Sequence, residues 1–245
     1  MRLPLVDVFK SPYEAWSMRG ATESEMRQQL RESGHILGWV RDRLQERINT
    51  HYEAACYIAS VGADNALEGF IDRQLQRCES YKSMRAMMPS RTPPALSRFQ
   101  QRYPNYSVCD VDYEISRIGH TLSEGQQLFH GGVWPGADSA DISLAKPFSM
   151  SFCPQVALRN AEWRGKAYDA GQINLLVLRV VRSSTPVFVF RQRGAKMGNE
   201  KEVLIASHAN LSVRASIRIK DDYVVGKYGF ADKTVPIYVC EVDIT

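Results

Sequence analysis

Glu200 and Glu202 stand two residues apart at the head of an aliphatic run, Val203-Leu204-Ile205-Ala206. The run reads as a short buried strand, and side chains two apart on a strand point to one face. Both carboxylates are then directed into one space. Like charges held that close shift each other's proton affinity, which is useful where a substrate exploits it. Taken alone, the stretch reads more simply as two solvated glutamates at a strand end. Gly194 and Gly198 mark a turn-rich loop in front of them. Two further stretches carry polar groups in strand context. Leu128-Phe129-His130-Gly131-Gly132 reads as a strand running into a glycine turn. Phe148-Ser149-Met150-Ser151-Phe152 alternates with period two, which sets Ser149 and Ser151 on one face.

The elements that must hold these groups fall into two halves. Up to about residue 122 the chain reads as helical. Thr22-Glu23-Ser24-Glu25 fits a capping box, and Leu37, Val40, Leu44 and Ile48 recur at helical spacing, predicting a helix through that stretch. A second helix is expected from Asp64 as N-cap, with Leu67, Phe70, Ile71, Leu75 and Cys78 on one face. Met84, Met87 and Met88 read as core filler before they read as an adaptable contact surface. Pro89–Pro94 and Tyr103–Tyr106 are breaks, with a short helix expected from Asp112 to Ile118. Near Ser123 the periodicity changes to strands and turns, which places a domain boundary between residues 1–122 and 123–245. Ile173–Val181 suits a central strand, Val187–Phe190 a further one, and Leu211–Ile219 a half-buried one. Ile237–Ile244 closes the chain. The expected class is α+β, a helical region followed by a sandwich or split pair of sheets.

Composition narrows the function. At 245 residues and 44% hydrophobic, the chain can bury a core, and wholesale disorder is excluded. Thirty-one basic against 27 acidic residues leave a net charge of +4, too mild to call for nucleic acid as a partner. The five cysteines are scattered, with no C-x-x-C pair, so neither a metal site nor a disulfide framework is expected. Met1–Lys10 lacks the long apolar core of a signal peptide, and no stretch suits a membrane span.

In the order His130-Gly131, Ser149-Met150-Ser151, Glu200-Lys201-Glu202, with Pro154 opening a helix after the serine strand, the second half of the chain resembles the mono-ADP-ribosyltransferase family of bacterial toxins and their vertebrate relatives. The resemblance implies that fold, with NAD as co-substrate. It makes Glu202 the carboxylate facing the ribose, Ser149 its brace and Glu200 the group that orients or deprotonates the acceptor. Members with S-x-S and E-x-E usually carry Arg on the first strand. Here His130-Gly131 stands there, as in the branch that uses His on the adenosine ribose and the glycine backbone on the nicotinamide amide. Ser151 reads first as structural and second as a ligand contact. Trp163 and Arg164 fall where the family places an aromatic for nicotinamide and a basic residue for phosphate; a buried tryptophan beside a surface arginine fits them equally. The loop 191–199 falls where the family meets its acceptor.

The expected function is mono-ADP-ribosyl transfer to a protein side chain by a bacterial effector or toxin. E-x-E favours arginine as acceptor, and threonine of ubiquitin stays open. The helical region would recognise the acceptor or cap the NAD cleft. Such a protein is expected to leave its source by a route that reads no signal peptide and to act in the cytosol of a target cell. NAD hydrolysis by water, and a non-catalytic relative that binds NAD or a partner, are the competing readings.

Overall fold

The computed structural model describes residues 1–134, 139–191 and 201–245. Glu200 and the loop 192–199 lie outside the described residues.

The chain divides into two compact units, Phe9–Thr50 and Met1–Val8 with His51–Thr245. In the first, a hairpin of β1 (Tyr13–Gly20) and β2 (Trp39–Ile48) is joined through α1 (Glu23–Ser33). The capping box forms as the sequence predicts: Thr22 accepts from the Glu25 backbone N–H, and the Glu25 carboxylate accepts from that of Thr22. The helix expected through Leu37–Ile48 is instead strand β2. Gly34, at φ 74°, ends α1 in the left-handed conformation that glycine adopts readily. Beyond it, residues 39–48 find backbone partners on β1. The helical spacing was coincidental. Leu37 and Leu44 are exposed and only Ile48 is buried, so the four residues share no packed face.

In the second unit, α2 (His51–Val61), α3 (Asn65–Arg77), α4 (Glu79–Ala86), α5 (Pro94–Arg102) and α6 (Val108–Ile118) precede the sheet. These helices cluster with the sheet in this unit. Asp64 caps α3, accepting from the N–H groups of Ala66 and Leu67. Met84 and Met88 are buried filler.

The strands are β3 (Gln127–Gly132), β4 (Asp141–Ser143), β5 (Phe148–Ser151), β6 (Ile173–Val180), β7 (Val187–Val189), β8 (Glu202–Ile205), β9 (Asn210–Val225) and β10 (Lys233–Ile244). They hydrogen-bond in the order β4-β9-β10-β6-β3-β5-β8-β7. As its apolar run predicts, β6 is central and buried along nearly its whole length. Burial along β9 follows its alternation at Leu211 but lapses at Ile217, which is half exposed.

The ladder between β3 and β5 is one residue pair, Phe129 with Ser151. The sheet therefore parts between a five-stranded half and the three strands β5, β8 and β7. Backbone groups at such a parting are free to face a ligand or a side chain. One helix closes over it from behind: α7 (Pro154–Glu162) packs so tightly on β3 that a Cβ on Gly131 would lie 1.8 Å from the Ala157 carbonyl oxygen. The glycine is required for close approach rather than for a turn. Gly131→Ala is expected to force α7 outward and lower stability by about 3 kcal/mol, near the upper end for overpacking. The urea midpoint checks this; an unchanged midpoint would show that α7 yields freely.

Candidate active site

Glu202 opens β8 and Ser149 lies on β5, two positions along the ladder from Ser151, the residue that faces Glu202. The register pairs Ser151 with Glu202 and Ser149 with Leu204. Ser149 and Glu202 are thus diagonal neighbours on one face, within reach of each other. Ser149 Oγ donates to Glu202 Oε1 at 2.7 Å. The second oxygen, Oε2, accepts from Gln100 Nε2 of α5 at 2.6 Å. Glu202 is only 3% exposed, and a carboxylate so buried is costly without such donors.

His130 sits across the parting. Its Nδ1 lies 2.7 Å from the Ser149 carbonyl oxygen, which can only accept, so Nδ1 carries the proton and Nε2 is left as an acceptor. The imidazole packs on Phe148 at 4.1 Å between centroids. Burial pushes its pKa down to about 4, against the Ser149 hydrogen bond and with help from the Lys166 charge. The ring is neutral at pH 7.

These groups open into one cavity of about 1300 Å³, lined among others by Gln100, His130, Gly131, Ser149, Trp163, Arg164 and Glu202. The structure therefore brings together all of the site residues expected from sequence except Ser151 and Glu200. Ser151 is buried, and its Oγ accepts from the Cys153 N–H at the entry to α7. It is absent from the cavity lining. Glu200 lies outside the described residues.

Trp163 is 42% exposed, which disposes of the buried-tryptophan alternative. It begins a single 3-10 turn, Trp163–Gly165, in which Arg164 takes φ 56° and stacks its guanidinium 4.3 Å from the Trp163 ring centroid. Lys166, at the start of α8 (Lys166–Ala170), lies 5.2 Å from Trp163 and 5.3 Å from Tyr103. Burial, and then the Lys146 charge, lower its pKa. The cavity lining thus holds a cationic and aromatic cluster as well as the acid. Nothing in the sequence marks Gln100 or Lys166. Each is a polar residue on an ordinary helix, and only packing turns it to the cavity.

Lys201, between the two glutamates of the motif, points elsewhere. Its ammonium is fully buried and pairs with Glu68 at 3.0 Å and Asp72 at 3.1 Å, both on α3. Glu68 also accepts from Arg159 of α7 and from Gln155. Burial raises the Glu68 pKa, but Lys201 and Arg159 outweigh it and the net shift is downward. The backbone of Lys201 has φ 50°, so the chain turns sharply just before Glu202. Side chain and backbone together fix where the acid begins.

A pH dependence follows from two histidines. His51, buried and stacked on Phe129 at 5.5 Å, is also held at about 4, by burial against a weaker opposing pull from Asp7. Both titrate near 6.5 when unfolded. Between pH 6.5 and 4 the unfolded chain binds protons that the folded one refuses. Their contribution is complete above pH 6.5 and is lost as pH falls toward 4, at a slope of up to ~1.4 kcal/mol per unit for each histidine. Urea midpoints taken from pH 7 to 4 check this. A flat profile would contradict it.

No family model and no curated protein matches the chain. Solved structures do. The enzymatic component of the C2-toxin from Clostridium botulinum aligns over 66% of this chain and 45% of its own length, at 9% identity and TM-score 0.40. The chain thus spans less than half of that protein. Plx2a, an ADP-ribosyltransferase toxin from Paenibacillus larvae, aligns over 62% of this chain and 79% of its own at 9% identity and TM-score 0.36. Vis toxin, an ADP-ribosyltransferase from Vibrio splendidus, aligns over 91% and 74% at 11% identity and TM-score 0.30. What this chain is similar to, at 11% identity or less, are thus two ADP-ribosyltransferase toxins and the enzymatic component of a third toxin.

Proposed function

We propose that this protein transfers ADP-ribose from NAD to a side chain of an acceptor protein. The observation that carries the reading is the buried Glu202 carboxylate, braced by Ser149 and opening into a cavity shared with His130 and Gly131. Cleaving the bond between nicotinamide and ribose builds positive charge on the sugar, related to the oxocarbenium state of glycoside hydrolysis. A fixed carboxylate stabilises that charge where it develops. A guanidinium or hydroxyl of the acceptor then bonds to the ribose carbon, and its proton passes to a base.

Each side chain has a role in this reading. Glu202 faces the ribose and Ser149 holds its rotamer. His130, neutral and with Nε2 free of a proton, accepts from a ribose hydroxyl, and the Gly131 backbone meets the amide. The cationic cluster at Arg164, with Trp163 beside it, suits phosphate and an aromatic ring. Phe99, Gln100, Gln101 and Tyr103 of the helical region line the same cavity, which favours a capping role for that region. Glu200 takes the acceptor's proton, and E-x-E favours arginine over threonine of ubiquitin. The place of action is the cytosol of a target cell, and among the described residues no helix is long and apolar enough to cross a membrane.

The test is incubation with labelled NAD and a cell lysate, followed by mass spectrometry of the labelled side chain. A discrete band modified on arginine is expected. Nicotinamide release without a labelled protein would reassign the chain as an NAD glycohydrolase. The absence of both a labelled protein and nicotinamide release would overturn the reading.

A further inference from the structure

We propose that Gln100 is a positioning residue for Glu202: its side-chain amide holds the second carboxylate oxygen, fixing the plane of the acid before the ribose arrives. This rests on the role given to Glu202 above.

A glutamate's terminal torsion is broad and roughly two-fold. Ser149 donates to Oε1 and so anchors that oxygen. The 2.6 Å hydrogen bond from Gln100 reaches the other oxygen from a different element, 102 positions away in sequence. Two donors from two directions define the carboxylate plane.

The helix that carries Gln100 is itself well held. Pro94 opens α5, and Ala95, Leu96 and Phe99 are buried beneath it. The Phe99 ring meets Tyr106 edge-on at 4.7 Å and Tyr103 at 5.9 Å. Gln100 follows Phe99 directly and inherits its placement.

The residue type also fits. A cation there would oppose positive charge growing on the ribose, and a carboxylate would repel Glu202. A neutral donor steadies the ionised acid without cancelling it. The carboxylate oxygen accepts, so the amide presents its Nε2. Hydrogen bonding to the charged form favours that form, so removing the donor raises the acid's proton affinity. The other charged or titratable groups lining this cavity among the described residues are Tyr103 after α5, His130 on β3, Lys146 before β5, and Arg164 and Lys166 after α7.

The test compares wild type with Gln100→Met, which keeps length and packing but removes the donor, and with Gln100→Glu, which adds repulsion. Nicotinamide release from NAD is measured against pH, and the Glu202 carboxyl is titrated by carbon-13 NMR. For Gln100→Met, kcat at pH 7 is expected to fall about tenfold with KM for NAD little changed. The acid limb of the profile and the Glu202 titration should both move up by about one pH unit, the scale of one charge-assisted hydrogen bond. Gln100→Glu should move both further. A merely structural Gln100 would change stability and leave the titration where it was. An unshifted Glu202 titration in Gln100→Met overturns the inference whether or not NAD is cleaved. If wild type releases no nicotinamide, the reading of Glu202 fails separately.

Discussion

Replacing Glu202 by glutamine is expected to slow nicotinamide release about a thousandfold while leaving the fold intact. Glutamine has the same shape, and its oxygen can still accept from Ser149 Oγ. Its amide nitrogen would face the Gln100 nitrogen, donor to donor, but the Gln100 side chain can flip and present its oxygen. Buried polar groups then stay satisfied, and the change in stability should remain within about 1 kcal/mol. On the proposed role of Glu202, what is lost is a full negative charge beside a developing cation. Removing one hydrogen-bond donor from an oxyanion site costs about 10²–10³ in rate, and a whole charge in a water-poor cleft should reach at least the upper end, ~4 kcal/mol. Nicotinamide release under single-turnover conditions, alongside a urea titration, separates chemistry from folding. Activity within tenfold of wild type would remove Glu202 from the chemistry.

Lys201→Met is expected to lower stability by about 3 kcal/mol. Methionine keeps most of the volume but removes an ammonium that is buried between Glu68 and Asp72. Breaking a buried pair costs about 3–5 kcal/mol because the remaining charge is left uncompensated. The lower end applies here. Glu68 keeps Arg159 at 2.7 Å, and the Asp72 side chain is 35% exposed and can turn to water. The loss should change little with salt, since buried pairs are weakly screened. It should also reduce NAD cleavage in the protein that remains folded, because Lys201 immediately precedes Glu202 and ties the start of β8 to α3. A urea midpoint within about 0.5 kcal/mol of wild type would show that the triad contributes nothing net.

Much of the sheet was legible because strand signals are local. The alternation at Phe148–Ser151 and the apolar run of β6 each describe a few consecutive residues, and each lies where its pattern places it, whereas Gly131 and Gly132, expected to turn the chain, stay within β3 and pair with β6. The capping box at Thr22 and the cap at Asp64 are local in the same sense. The failure at Leu37–Ile48 has a converse cause. Helical spacing reports only that apolar residues recur, whereas the outcome depended on whether β1 offered backbone partners. Ser151 shows a finer limit. Period two put it on the Ser149 face, but a face says nothing of depth, and two residue pairs toward the helix entry are enough to bury it.

The sequence by itself set Glu202, Ser149 and His130 in short strand segments in a fixed order. Their candidate roles as acid, brace and opposing histidine are what the resemblance carried by that order implies. Tertiary structure alone decided that Gln100 meets the acid from a helix 102 positions away, that Lys201 turns inward to α3 while its neighbour faces the cavity, and that Gly131 is needed for helix packing. The reason is physical. A hydrogen bond or an ion pair depends on distance in space, and distances between remote segments are set by how the whole core packs, which no local pattern encodes.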